Sequence, residues 1–406
     1  MSYRSLLRSP HVIRLLAGSW IGRLPFAMAA VAIPLAVRHS GASFGFTGAM
    51  AGTYAVSAAA GSPVLGRLVD RMGQTVVLMW TAPAEALGFA VIALFPQARA
   101  AGLAAAAVAG AATPPIEACL RSLWPRLVPR ADLERAYAVD SAAQELIFIT
   151  GPLVVAACVA VVAPAGALLV AAALGPAGVL VVATAGPSRQ WRSEHRAAHW
   201  LGPLRSGPLV VLLCSLVGAG FAVGTLNVYV VSYAEARHVP GGAPALLALN
   251  AVGAMIGAIG YGLLSWAAAP RRKAVLLMFG MIIGYGLLSL QPGPAFMVPV
   301  MLATGFFLAP LLTVVFLLVG VLAPDGTSTE AFAWIVTLFA VGLSAGAAVV
   351  GLVIERAGAQ SASFCGALGV AAGLVILLCG YPALRLPPAP RIPPAQWAGA
   401  GTAPAD

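Results

Sequence analysis

Long apolar runs, one after another, decide what this chain can become. Between residues 12 and 384 the sequence divides into roughly twelve stretches, each near the ~20 residues that a helix needs to cross a bilayer. Inside lipid every backbone N–H and C=O must find a partner within the protein, and a helix satisfies its own. The runs fall near 12–37, 43–66, 75–95, 98–122, 137–161 and 163–185, then 208–233, 244–267, 274–291, 294–322, 329–354 and 361–384. With 60% hydrophobic and 9% charged residues, the chain has too little polar surface to cover a soluble globule of 406 residues. The fold class is therefore an all-α membrane protein.

The net charge of +10 points away from nucleic acid, because no soluble face is left to carry a basic stripe. It reports topology instead. Arg4, Arg8, Arg14, Arg67, Arg71, Arg126, Arg130, Arg135, Arg189, Arg192, Arg271, Arg272 and Lys273 all fall in the set of breaks that shares a side with the N-terminus. The other set carries only Arg38, Arg99, Arg237 and Arg356. The positive-inside rule turns that asymmetry into a multi-pass protein of the plasma membrane with both termini cytoplasmic. The five cysteines lie inside apolar runs without Cys-x-x-Cys spacing and read as packing residues.

The runs form two sets of six. A first bundle over 1–186 and a second over 208–384 are joined by a polar cytoplasmic linker, 187–207, in which Trp191 and Trp200 read as interfacial anchors. The Pro-rich tail, 385–406, reads as disordered. The sets also repeat at a shift of 195 to 196 residues: Gly61 with Gly257, Gly66 with Gly262, Pro114 with Pro310, Ala136-Tyr137-Ala138 with Ala331-Phe332-Ala333, and Gly151 with Gly346. Parallel repeats of this kind place a substrate site between the halves near the midplane.

Between the second and third runs lies Gly66-Arg67-Leu68-Val69-Asp70-Arg71-Met72-Gly73, which reads as a tight cationic hairpin loop with no room for a helix. It closely resembles the signature loop of major facilitator superfamily transporters: Gly, three residues, Asp-Arg, one residue, Gly. Twelve spans, the central linker and the repeat extend the resemblance over the whole length. It implies the major facilitator fold, two pseudo-symmetric six-helix bundles, and alternating access. It also implies that Asp70 is a latch acid facing a neighbouring helix end or an arginine, with Arg67 or Arg71 as its partner. The second-half copy carries Trp266 in place of the acid, so the latch is expected on one side only. Gly151-Pro152 resembles the start of the proton-antiporter signature of drug exporters, although Val155, Ala156 and Ala157 replace its further glycines. The fourth-span arginine of many proton-coupled relatives is absent, since that stretch reads Ala104-Ala105-Ala106-Ala107.

Charges inside the runs carry whatever mechanism there is, because each costs about 2.5–3.5 kcal/mol at a helix centre. Counted inward at about 1.5 Å per residue, Arg23, Glu85 and Glu145 fall roughly 15 Å deep and are the proton-coupling candidates. Glu145 either carries a proton on a buried carboxyl or stands in a permanent pair with Arg23. Glu117, Arg121 and Asp140 lie nearer the cytoplasmic end, the first two spaced as an i,i+4 ion pair, and read with Gly66, Arg67, Asp70, Arg71 and Gly73 as a cytoplasmic gate. The interiors of the second-half runs carry no charge. That half is expected to supply an apolar and aromatic wall through Asn227, Tyr229, Asn250, Phe306, Trp334 and Phe339, opposite Phe26 and Gln144 of the first.

Several motifs fall away. Gly342-Leu343-Ser344-Ala345-Gly346 has the hydrolase-elbow pattern but lies in an unbroken apolar run with no histidine after it. His195 and His199 lack further ligands, so no metal is expected. No P-loop or His-Glu-x-x-His motif is present, so the expectation is no enzyme, no cofactor and no nucleic acid. The reading is a monomeric secondary transporter in contact with lipid, exporting hydrophobic small molecules against protons; an importer or facilitator, or a ligand-binding membrane protein that moves nothing, are the alternatives.

Overall fold

The computed structural model describes residues 3–193, 200–264 and 266–384. His195 and His199 of the linker, Ser265, and the tail 385–406 lie outside the described residues. A short helix, Tyr3–Arg8, precedes twelve spanning helices. In the first half these are α1 (Val12–His39), α2 (Phe44–Met72), α3 (Gln74–Leu94), α4 (Arg99–Ala111 and Ile116–Leu127), α5 (Leu133–Val161) and α6 (Pro164–Ala183). The second half holds α7 (Gly207–Arg237), α8 (Gly242–Leu263), α9 (Pro270–Gly286), α10 (Pro294–Phe306 and Leu308–Leu322), α11 (Ser328–Ala362) and α12 (Cys365–Cys379). Ten of them are long and apolar enough to cross a membrane by length and composition, and α2 and α12 complete the set.

The halves pack alike. In the first, α1 lies against α5 and α6, α2 against α4, and α3 against α6; in the second, α7 lies against α11 and α12, α8 against α10, and α9 against α12. The repeat is written in the small residues at these crossings. A methyl added to Gly178 would stand 2.1 Å from the Gly22 nitrogen where α6 meets α1, and one on Gly218 would stand 2.9 Å from the Gly373 Cα where α7 meets α12. Gly110 lies under the Tyr54 carbonyl, and Gly305 under the carbonyl of Asn250, the residue in the matching place. Gly346 of the discarded hydrolase pattern is another such contact, pressed on the Phe221 carbonyl as Gly151 is on Ala27. Close backbone approach of this kind is how membrane helices gain attraction without a hydrophobic drive.

Two sequence expectations are corrected here. Gly66 to Met72 is not a loop: α2 runs on to Met72, and the turn into α3 is the single residue Gly73, whose φ of 91° suits a residue without a Cβ. One such residue suffices to end one helix and start the next, so the charged residues of the motif are held on a rigid helix end. Trp191 is no interfacial anchor either. It is 3% exposed, packed in the main core with the Arg126 guanidinium 6.0 Å from its ring, while Trp200 is exposed.

The α1–α6 crossing leaves no space for a side chain. Gly178→Val is expected to lower stability by about 1–3 kcal/mol through overpacking, read as a drop in the melting temperature of the detergent-purified protein, whereas the same change at Gly207, which has nothing near it, should leave melting almost unchanged.

Candidate functional site

Polar contacts between the halves concentrate toward the face of the bundle where both described chain ends lie. There the Asp70 carboxylate accepts the backbone N–H groups of Thr329 (3.0 Å) and Glu330 (2.9 Å) at the start of α11. An acid at a helix N-terminus meets both the unpaired N–H groups and the positive end of the dipole. Arg67 makes a two-pronged pair with Glu330 at 2.9 and 2.6 Å, while Arg71 is exposed. Of the partners left open for Asp70, the helix end is therefore the one present, and Arg67 is engaged elsewhere. Gly66 permits the approach, since a Cβ there would stand 2.8 Å from the Glu330 Cα.

The pseudo-equivalent corner, where α8 meets α5, was expected to be empty of such chemistry. It is not. Lys273 donates to Glu134 at 2.6 Å, the Tyr261 hydroxyl bonds to the same carboxylate, and Arg135 donates to the Gly262 carbonyl at 3.1 Å. Lys273 is buried beside the rings of Tyr261 and Trp266, 5.6 and 5.8 Å away. Trp266, standing where the second acid would be, so becomes part of a different cross-half contact, and the charged residues of the second half are not idle. Glu330, Lys273, Glu134 and Tyr261 escaped the sequence reading because charges near helix ends are ordinary there. The available signal was the repeat itself, which aligns Arg135 with Glu330 at a shift of 195.

Deeper in the first half, residues assigned to two separate groups form one cluster. Arg23 pairs with Glu117 (3.0 Å) and Asp140 (3.4 Å) and donates to the Gln144 side chain (2.7 Å). Arg121 pairs with Asp140 (2.7 Å), contacts Glu117, and donates to the same Gln144 oxygen (2.9 Å). Its guanidinium also lies 3.5 Å from the ring of Phe316 on α10. Two cations and two anions thus cancel within one cluster drawn from α1, α4 and α5. Asp70 is not part of it, being tied to α11 instead. Nor does Arg23 pair with Glu145: among the described residues no ion pair or hydrogen bond engages that carboxyl. Glu85 is 1% exposed, and its Oε1 has no hydrogen-bond partner.

The wall residues divide. Phe26, Asn227 and Phe306 are exposed, and Gln144 and Trp334 are half-buried, Trp334 with its indole N–H unbonded. Tyr229 is buried with its ring 6.3 Å from that of Tyr233, and Asn250 is bonded to Thr304 at 2.8 Å inside the second half. The Phe339 backbone packs against Gly220, and Gly151 against Ala27 next to Pro152.

This arrangement, two matched six-helix bundles joined by polar contacts at one end with a neutralised charge cluster inside the first, is that of a two-bundle membrane transporter. The chain belongs to the Major Facilitator Superfamily, whose sequence signature matches residues 15–331. No curated protein matches it. Among solved structures, a bacterial homologue of the iron transporter ferroportin in its outward-facing state is similar, with a TM-score of 0.75 at 14% identity over 91% of this chain and 99% of that one. The human organic anion transporter MFSD10 gives 0.68 at 16% identity over 91% and 100%. A single-residue variant of the E. coli fucose:proton symporter gives 0.71 at 14% over 90% and 97%.

Arg121→Ala leaves Asp140 buried with one weaker partner, and should cost about 3–5 kcal/mol; Arg121→Leu combined with Asp140→Leu should recover part of that loss in the same thermal melts. Asp70→Asn weakens the hold on α11 without changing side-chain size. Spin labels at the α2 and α11 ends are then expected to show a longer or broader distance distribution than in the parent protein.

Proposed function

We propose that the protein moves hydrophobic or weakly polar organic molecules out of the cell against protons, by alternating access, as a monomer in the plasma membrane with both termini cytoplasmic. The observation that carries this reading is the contrast between Glu145 and the acids around it. Glu117 and Asp140 are spoken for by Arg23 and Arg121, whereas Glu145, one residue beyond Gln144 on α5, has no ionic partner among the described residues. A carboxyl in that position is stable in an apolar bundle when protonated and costly when ionised, so its proton occupancy can be tied to which side of the membrane it meets.

The rest of the site supports a weakly polar cargo. Among the candidate wall residues the accessible ones are mostly apolar, Phe26 and Phe306 being exposed and Trp334 half-buried, with Asn227 as an exposed polar group. Sugars or phosphates would need a denser set of hydrogen-bonding groups. With the basic face cytoplasmic, the Asp70 and Glu134 contacts close that side, and proton uptake from outside would accompany substrate release there. Their opening then admits substrate from the cytoplasm. Asn227, Phe306 and Trp334 are proposed as contacts for the cargo, and Asp70, Arg67 and Glu330 as the cytoplasmic gate.

Reconstituted liposomes with an imposed pH gradient test this. The parent protein is expected to drive dye or antibiotic flux that a protonophore abolishes. Glu145→Gln should reduce gradient-driven flux at least tenfold while substrate counterflow without a gradient persists. Normal gradient-driven flux in that variant would remove Glu145 from coupling, and flux in the direction of proton entry would make the protein an importer.

A further inference from the structure

The linker meets both bundles beside the contact of α2 with α11. Its first described stretch is held on the first bundle: the Ser188 hydroxyl donates to the Gln74 side chain at 3.0 Å, and a Cβ on Gly73 would stand 2.9 Å from Arg192 Nη1. Its last stretch, the tight turn Gly202–Arg205, packs on α7 and α11 of the second bundle. There Gly202 and Pro203 are buried, and Leu204 is set against the main core.

Gly202 lies directly on the Arg67–Glu330 pair. A Cβ there would stand 2.6 and 2.8 Å from the two carboxylate oxygens of Glu330 and 2.9 Å from Arg67 Nη2, so the groups that would have to yield are the ion pair itself. Its φ of 54° is a second demand for glycine. The turn has a visible effect on the acid. Glu330 is 3% exposed although it stands at the very start of α11, whereas Glu134, the acid of the opposite corner, reaches water. A carboxylate kept from water needs its cation, and one left there alone is costly. Withdrawal of α2 takes Arg67 and Asp70 away together, so Glu330 has to gain water from the side that the turn now covers.

We infer that the linker's last turn is a cover on the cytoplasmic gate: seated, it keeps water from Glu330 and holds Arg67 in place, and it lifts as α2 leaves α11. Gly202 is a positioning residue in this arrangement, acting through the ion pair and not on the cargo. The inference rests on the reading of Asp70, Arg67 and Glu330 as the gate; the proton at Glu145 and the nature of the cargo do not enter it. The linker thereby becomes a working part of the transport cycle, since whatever loosens its last turn favours the cytoplasm-open arrangement.

The measurement is the distance distribution between spin labels at the α2 and α11 ends of the full-length protein. Gly202→Ala should raise the cytoplasm-open fraction several-fold. Leu204→Ala, which loosens the turn without adding an atom beside the pair, should act in the same direction to a smaller degree. Gly207→Ala, with open space around it, should change nothing. Glu330→Ala removes the oxygens that the turn covers and leaves the Asp70 contacts to the backbone in place. Added to it, either turn variant should open the gate little further than Glu330→Ala alone, because residues that act through one pair are not additive. Fully additive opening would overturn the proposal, and so would unchanged distances in both turn variants. If Gly202→Ala does not fold, Leu204→Ala with and without Glu330→Ala still decides. An unmoved distribution in Asp70→Asn would overturn the gate and the cover with it, whereas opening in Asp70→Asn without a response to the turn variants would overturn the cover alone.

Discussion

A charge inside an apolar bundle must be met by another, and this constraint shapes the centre of the molecule. Arg23 and Arg121 come from different helices, and neither would be tolerable alone at that depth. By sharing Glu117, Asp140 and the Gln144 oxygen they form a unit without net charge, held by contacts of 2.7–3.4 Å alongside the closer Arg121–Glu117 pair. Phe316 of the second half then covers the Arg121 guanidinium, so the cluster is also a contact between the bundles. Its cost in desolvation is offset only while all members stay in register, which makes α1, α4 and α5 a rigid block.

The two corners at the closed end show how the same geometry is reached by different chemistry. At one, an acid on α2 caps α11 and an arginine grips Glu330; at the other, an acid on α5 collects a lysine from α9 and a tyrosine from α8. Glycine crossings keep the backbones of the halves equivalent, and that equivalence frees the side chains to diverge. At each corner one member of the ion pair reaches water, Arg67 at the first and Glu134 at the second, unlike the Arg121–Asp140 pair of the cluster, where neither does.

Much of the fold was legible because apolar length and charge asymmetry act through composition, and because Gly61, Gly110, Gly151 and Gly178 each have a counterpart pressed on the matching helix. The i,i+4 pair of Glu117 and Arg121 was legible for the same reason: both residues belong to one helix. What could not be read was how helices meet. Depth counted along a helix placed Arg23 beside Glu145, yet rotation of α5 turns Asp140 and Gln144 toward Arg23 and leaves Glu145 aside. The loop around Asp70 looked non-helical from its glycines and charges, although Gly73 alone makes the turn. Glu134 and Lys273 are far apart in sequence, and only the approach of α5 to α8 and α9 gives them a reason to be charged.

Lys273 is the single lysine among 406 residues, and its ammonium is buried at the seam between the halves. The protein therefore carries one ε-amine, and that amine is shielded only while the seam is shut. An opening of that seam, as the proposed alternating access requires, would expose this ε-amine to acylating reagents, so the extent of its acylation would report how often the side opens.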